Sequence, residues 1–250
     1  MRSLSKTSTM ARQILRWIAA VLLLILVWFA ASKIIAAPLI LPSPSAVFMR
    51  LCAIITTPRF WQNFSLTFLR VIAGFLLSVF LGTVLGLLCA DFPALRPFIQ
   101  LPVSIIRSTP VIAVILVALF WFRSGTVPVF VSLLMTLPVM TSDAEKGFFK
   151  TPANQEMLFK AQCVCFSGWS AFRHIRFRAA LPFLRSGAQS VFGLSWKVVV
   201  AGEVLSLPRF GAGSLLQQAQ VHLESADVLA LTAILVVVSI ILEKLVRIII

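Results

Sequence analysis

The chain has 250 residues, of which 60% are apolar and only 12% charged, and its mean hydropathy is +1.01. A soluble domain carries about 45–50% apolar and about 25% charged residues, so a water-soluble enzyme is all but excluded, and disorder, which needs low hydrophobicity, is excluded as well. The 22 Lys and Arg outnumber the 8 Asp and Glu, but the cations punctuate apolar runs instead of forming a nucleic-acid patch, as the positive-inside rule of membrane proteins predicts.

The length accommodates about six spans of about 20 residues, so the expected fold is all-α, a polytopic membrane helix bundle. Residues 1–13, with Arg2, Lys6 and Arg12, read as a cytoplasmic tail, and 14–250 as one transmembrane domain. An uncharged run from Trp17 to Ser32 opens the first span. A cleaved signal peptide competes there, but apolar character resumes past Lys33 to Ile40, enough to span if Lys33 snorkels. Leu41-Pro-Ser-Pro-Ser45 then breaks any helix, and the polar, aromatic segment to Arg70 reads as a surface loop with a short interfacial helix.

Val71 to Ala90 is the clearest span. It carries Gly74, Ser78, Gly82 and Gly86, a small residue at every fourth position, which makes a stripe along which another helix backbone can approach. A third span is expected from Pro97 to Phe122. A fourth, Ser124 to Ser142, is expected to be bent or broken at Pro128 and Pro138, a defect tolerated where neighbours satisfy the freed carbonyls. Two more are expected from Ser186 to Leu207 and from Asp227 to Leu242.

Between them, residues 143–185 form a long basic segment whose stretch Leu158 to Trp169 is apolar enough for a short helix lying against something. Six spans with an N-in start put fourteen Lys and Arg on one side (four in the first sixteen residues, Arg96, seven in 143–185, two at the end) against six on the other. Both termini and the 143–185 loop are therefore expected in the cytoplasm. Cys52, Cys89, Cys163 and Cys165 have neither CxxC nor zinc spacing. No metal, cofactor or catalytic residues are expected.

Within the membrane Glu203 stands out, because an ionisable residue in a span is costly and a functional candidate by default. Lys197, six positions earlier, lies about 120° round the helix and about 9 Å along it, which argues against a direct pair. Trp196 shares the face of Glu203, so the two line a pathway or a subunit contact; the alternative is a carboxylate capped at the rim.

Several ordered pieces resemble permease subunits of binding-protein-dependent ABC importers, of the nitrate/sulfonate/taurine type. They are Leu41-Pro-Ser-Pro-Ser45, Ser65-x4-Arg70-Val-x2-Gly74-Phe75, Arg107-Ser-Thr-Pro110, Phe120-Trp-Phe-x2-Gly125, Trp169-x2-Phe172-Arg-His-Ile175, Ala179-Ala-Leu-Pro182, Trp196-x6-Glu203 and Gly211-Ala-Gly213. They cover roughly residues 38–245. The family's cytoplasmic signature is Glu-Ala-Ala, three residues, Gly, nine residues, Ile-x-Leu-Pro. Anchored on Ile175, it puts Cys165 at the Gly, Ala161 at the second Ala, and Phe159 and Lys160 at the Glu and first Ala. Phe177 and Arg178 replace the Leu and first Pro, and only the later Pro182 survives, a degenerate copy.

The resemblance implies a type I importer permease whose 143–185 loop docks a separate ATPase subunit, through Lys160, Ala161, Cys165, Phe166, Gly168, Trp169, Ile175 and Pro182. It further implies a second permease copy, as a homodimer, an external or periplasmic substrate-binding protein, and a place in the inner membrane lipid. The chain has no Gly-x4-Gly-Lys-Ser/Thr phosphate loop, so energy would come from the ATPase by rigid-body rotation of the spans. The rival reading, a secondary transporter or channel driven by an ion gradient, would want several intramembrane acids or an internal repeat. Nitrate, sulfonates, taurine and thiamine-precursor-like compounds are all compatible solutes.

Overall fold

In a computed structural model, residues 2–149, 169 and 172–249 are described, and among them there is helix and no strand. The helices are α1 (Arg2–Ile35), α2 (Pro44–Ile55), α3 (Pro58–Asp91), α4 (Arg96–Ser108), α5 (Val111–Ala118), α6 (Val127–Phe148), a π-helical turn (Phe172–Arg176), α7 (Phe177–Ser206), α8 (Ala212–Val221) and α9 (Ser225–Ile249).

The chain divides into two compact units, residues 1–57 with 218–234, and residues 58–217 with 235–250. In the first, α1 starts at Arg2, so the polar residues 2–13 and the first apolar run lie on one continuous helix. Ser43 caps α2 by accepting from the Ala46 amide at 3.3 Å, with Pro44 in the first turn, where a missing N–H costs nothing. The Leu-Pro-Ser-Pro-Ser sequence thus starts one helix after ending another. Trp28 Nε1 and Ser32 Oγ donate to the Pro42 and Leu41 carbonyls, both at 3.2 Å, and Arg50 forms a two-pronged pair with Asp227.

The second unit is built on α3, α6 and α7, which pack on one another. The small residues of α3 face a matching four-residue series on α6. A Cβ on Gly74 would lie 2.8 Å from Ser132 Oγ, one on Gly82 2.6 Å from Met140 Cβ, and one on Gly86 2.5 Å from Ala144 Cβ. Ser78 Oγ meets Thr136 Oγ1 at 2.5 Å. Each pair is offset by the same sequence distance, so α3 and α6 run parallel. A parallel pair requires the chain to return between them, which α4 and α5 do. By contrast α7 runs antiparallel to α6, with Gly147 against Ala180 at one end and Gly202 against Pro128 at the other.

The structure bears on three of the expectations. First, by length and composition α3, α6 and α9 are apolar enough to cross a bilayer among the described residues, with α4 plus α5 a fourth if that bent pair is one span; six spans were expected, and this criterion leaves α7 out. The expected span from Ser186 to Leu207 lies within α7, which at 30 residues, about 45 Å, is long enough to cross, and which, packed on α3 and α6, needs little apolar surface of its own. Secondly, the span expected from Pro97 to Phe122 is two helices bent by 101°. Thr109 is extended there, with ψ 131°, and Pro110 has no N–H to continue the ladder. Thirdly, α3 starts at Pro58, within the segment read as a loop, whereas α6 runs through Pro138 as one helix.

Candidate functional site

The small-residue stripe of α3 extends upstream as polar residues at the same spacing. Thr67 and Asn63 precede Val71 and Gly74 at steps of three or four, and both are buried. An asparagine and a threonine facing a core must find partners, and they find them on the segment after α7. Helix α7 ends with Leu207 in the left-handed region (φ 46°), its amide donating to the Glu203 carbonyl at 3.1 Å. The chain then turns through Pro208 and enters α8.

Like any helix, α8 begins with amides that have no partner in the helix itself. Here side chains of the core supply them. Asn63 Oδ1 accepts from Gly211 N at 2.7 Å, Thr67 Oγ1 from Ala212 N at 2.8 Å, and a Glu203 carboxylate oxygen from Gly213 N at 3.0 Å. The positive end of the α8 dipole therefore rests on a carboxylate. Both glycines are required by this approach: a Cβ on Gly211 would lie 2.7 Å from the Glu203 carboxyl carbon, and one on Gly213 2.5 Å from the Val200 carbonyl oxygen.

Glu203 is fully buried, and a buried charge needs a countercharge. Arg70 provides it from α3, forming an ion pair through Nη1. The same guanidinium donates to the Phe210 carbonyl at 2.7 Å and, through Nε, to the Gly125 carbonyl at 3.2 Å. Thr67 Oγ1 lies 2.8 and 3.0 Å from the two Glu203 oxygens. Ser206 Oγ donates to the Ser124 carbonyl at 3.0 Å. One carboxylate and one guanidinium thus tie together α3, α7, the α5–α6 turn and the start of α8.

At the opposite end of the core, a second ion pair joins the segment after the long loop to the helix ends. Arg176 forms a two-pronged contact with Asp91 at the last residue of α3, and its Nη2 lies 3.5 Å from the Phe148 carbonyl at the end of α6. Phe172 stacks on Phe148 at 6.3 Å and on Trp169 at 5.8 Å between ring centroids, and Arg176 lies over Phe172. Nearby, Glu145 of α6 accepts from Arg96 at 2.7 Å and from Gln100 of α4 at 3.0 Å.

Of the residues singled out from sequence, Gly74, Ser78, Gly82 and Gly86 all lie on the α3–α6 contact. Glu203 is at the Arg70 node. Trp196, two turns earlier on α7, is buried in an apolar cluster with Val71, Phe192 and Ala212, its ring 6.0 Å from that of Phe64; neither it nor Glu203 reaches the surface of the chain. Lys197 faces away from Glu203 and pairs with Glu243 at 3.7 Å. Trp169 is exposed, Ile175 half-buried and Pro182 exposed. Lys160, Ala161, Cys165, Phe166 and Gly168 lie outside the described residues. Sequence reasoning missed Asn63 and Thr67 altogether, although continuing the four-residue stripe upstream would have reached both, and did not pair Arg70 with Glu203.

No family model matches the chain. It is 24% identical over 241 residues to the taurine transport system permease protein TauC of Escherichia coli K12, covering 94% of this chain and 86% of that relative. It is 27% identical over 152 residues to the nitrate import permease protein NrtB of Leptolyngbya laminosa, covering 59% of this chain and 52% of the other. A chain of the solved MetNI methionine ABC transporter in an inward-facing conformation superposes with a TM-score of 0.53 at 16% identity, over 75% of this chain and 92% of that one. By sequence, then, the chain is a homologue of the permease proteins of ABC transporters, taurine and nitrate permeases among them, and it has the fold of a permease of that kind.

Proposed function

We propose that this chain is the channel-forming subunit of an ATP-driven importer, moving a small solute delivered by an external binding protein across the inner membrane. A second copy of the permease would complete the pathway, and a separate ATPase would bind the 143–185 loop. Both termini and that loop lie in the cytoplasm in this reading, which rests on the fourteen-to-six division of Lys and Arg.

The observation that carries the reading is the attachment of the loop to the core. Arg176, four residues from the end of the Trp169–Phe172 stack, is bound to Asp91 of α3 and lies against the end of α6. A push on the loop would reach both helices through a charged, two-pronged contact, as the rigid-body coupling of an ATPase to a pathway requires. The Arg70–Glu203 node would hold the far ends of the same helices together, so that they move as a body. In this account Glu203 and Trp196 are positioning residues that shape the pathway through the helices they fix. With its carboxylate engaged by Arg70, Thr67 and Gly213, Glu203 also fits poorly as the free intramembrane acid of an ion-driven carrier.

Three relatives are named for taurine, nitrate and riboflavin, solutes with little common shape, which suits a subunit whose selectivity is set by the external binding protein. Affinity purification of the tagged chain from its native membrane tests the assignment. Recovery of an ATPase subunit whose turnover in liposomes depends on the binding protein and its solute is expected; solute uptake that follows an ion gradient without ATP would overturn it.

A further inference from the structure

A groove of about 800 Å³ runs between α7 and the C-terminal part of α9. On α7 it is lined by Ser186, Ser190 and Lys197, and on α9 by Glu243, Lys244 and Arg247. Three cations thus face one carboxylate, a local excess of positive charge. The α7 residues recur with Gly193 at steps of three or four, so they form one polar stripe on the side turned away from the α3–α6 core. Gly193 itself forms part of the floor: a Cβ there would lie 2.8 Å from a Glu243 carboxylate oxygen, so the bare backbone is what lets that side chain lie across the groove.

Lys197 is the unusual member. It lies in the interior of α7, nine residues before its end and about 13 Å along the axis, rather than in a last turn where a basic residue would complement the helix dipole. Its only carboxylate neighbour among the described residues, Glu243, is 3.7 Å away, beyond hydrogen-bond length, and Glu243 also accepts from Ser239 Oγ at 3.2 Å. The ammonium donors are therefore held loosely, and with its side chain 68% exposed Lys197 is free to turn toward an anion entering the groove. The serine hydroxyls at 186 and 190 add donors along the same wall.

We propose that this groove binds an oxyanion group, with Lys197 leaving Glu243 to donate to it and Arg247 and Lys244 supplying the remaining charge. A sulfonate, nitrate, carboxylate or phosphate has the required chemistry, carried either by a small free solute or by an anionic lipid headgroup. The binding itself rests on the groove and not on the ATP-driven reading; only its assignment to a transported solute would.

The test uses the full chain with its native cysteines replaced and Ser190→Cys introduced, in phosphatidylcholine nanodiscs, with the rate of maleimide labelling as readout. Sulfate at constant ionic strength, or phosphatidylglycerol in place of part of the phosphatidylcholine, should slow labelling. Protection by sulfate identifies a solute-sized anion, and protection by phosphatidylglycerol alone identifies a headgroup. Lys197→Gln should raise the half-protecting concentration about tenfold, the scale of one charge-assisted hydrogen bond. Glu243→Gln, which removes the competing carboxylate, should lower it, an improvement that misfolding cannot imitate. Absence of protection by either anion, or protection indifferent to both substitutions, would overturn the proposal.

Discussion

Arg70 and Glu203 are 133 residues apart in sequence, yet one guanidinium nitrogen of Arg70 serves both the Glu203 carboxylate and the Phe210 carbonyl beyond it. The pair therefore fixes more than itself. The carboxylate is oriented by Thr67 and Gly213, and the guanidinium by Gly125, so α3, α7, α8 and the α5–α6 turn share one polar knot.

Breaking that knot on one side should cost more than removing it. Arg70→Ala leaves a fully buried carboxylate without its countercharge and is expected to cost about 3–5 kcal/mol. Glu203→Gln keeps an acceptor for Gly213 and Thr67 and should cost less. The double variant Arg70→Met/Glu203→Leu should recover part of the loss. Thermal midpoints in detergent, arranged as a double-mutant cycle, would show a coupling near zero if the two residues acted independently.

Gly82→Leu should lower the yield of folded protein, because even a single Cβ at that position meets Met140 Cβ at 2.6 Å. Gly82→Ala should fall between leucine and the native residue, with a cost of about 1–3 kcal/mol from overpacking. Leu77, on the exposed side of the same helix, provides the control: Leu77→Ala should leave folding close to native. Equal yields for all of these proteins would remove α3–α6 contact as the reason for the stripe.

Asp91→Asn weakens the contact of α3 with Arg176 without altering the shape of either side chain. The chain should insert normally and still recover its ATPase, but transport per ATP hydrolysed should fall. Exchange of the charges, Asp91→Arg with Arg176→Asp, should restore part of the coupling. A native transport-to-hydrolysis ratio in Asp91→Asn would show that force does not pass through this pair.

The orientation of the chain is tested by cysteine labelling. With the native cysteines replaced, a cysteine at position 155 should be inaccessible to a membrane-impermeant maleimide in intact cells and reactive in inverted vesicles. External labelling at that position would reverse the assignment of both termini.

Much of this fold was legible, and the misreadings have physical causes. The apolar run from Val71 to Ala90 marked α3, but its first turns were hidden because Asn63 and Thr67 look like loop residues until their partners at Gly211 and Ala212 are known. Pro110 and Pro138 are equivalent in sequence and opposite in effect. The first follows an extended Thr109 and separates two helices, whereas the second lies inside a helix packed on both sides by α3 and α7. Glu203 was conspicuous as a charge in a span. Its spacing from Trp196 and Lys197 described only its own helix, while its partners lie on α3 and α8, which periodicity along one helix does not reach.

Coupling of this chain to a separate ATPase through the 143–185 loop is measured most directly by disulfide or bifunctional crosslinking from a cysteine at position 161 in the assembled complex, with and without nucleotide, alongside Phe166→Ala and Cys165→Glu. A crosslink to the ATPase whose yield changes with nucleotide, and loss of transport with weaker ATPase recovery in both variants, is the predicted result. Normal transport in both variants, with no crosslink from position 161 in any nucleotide state, would contradict the account.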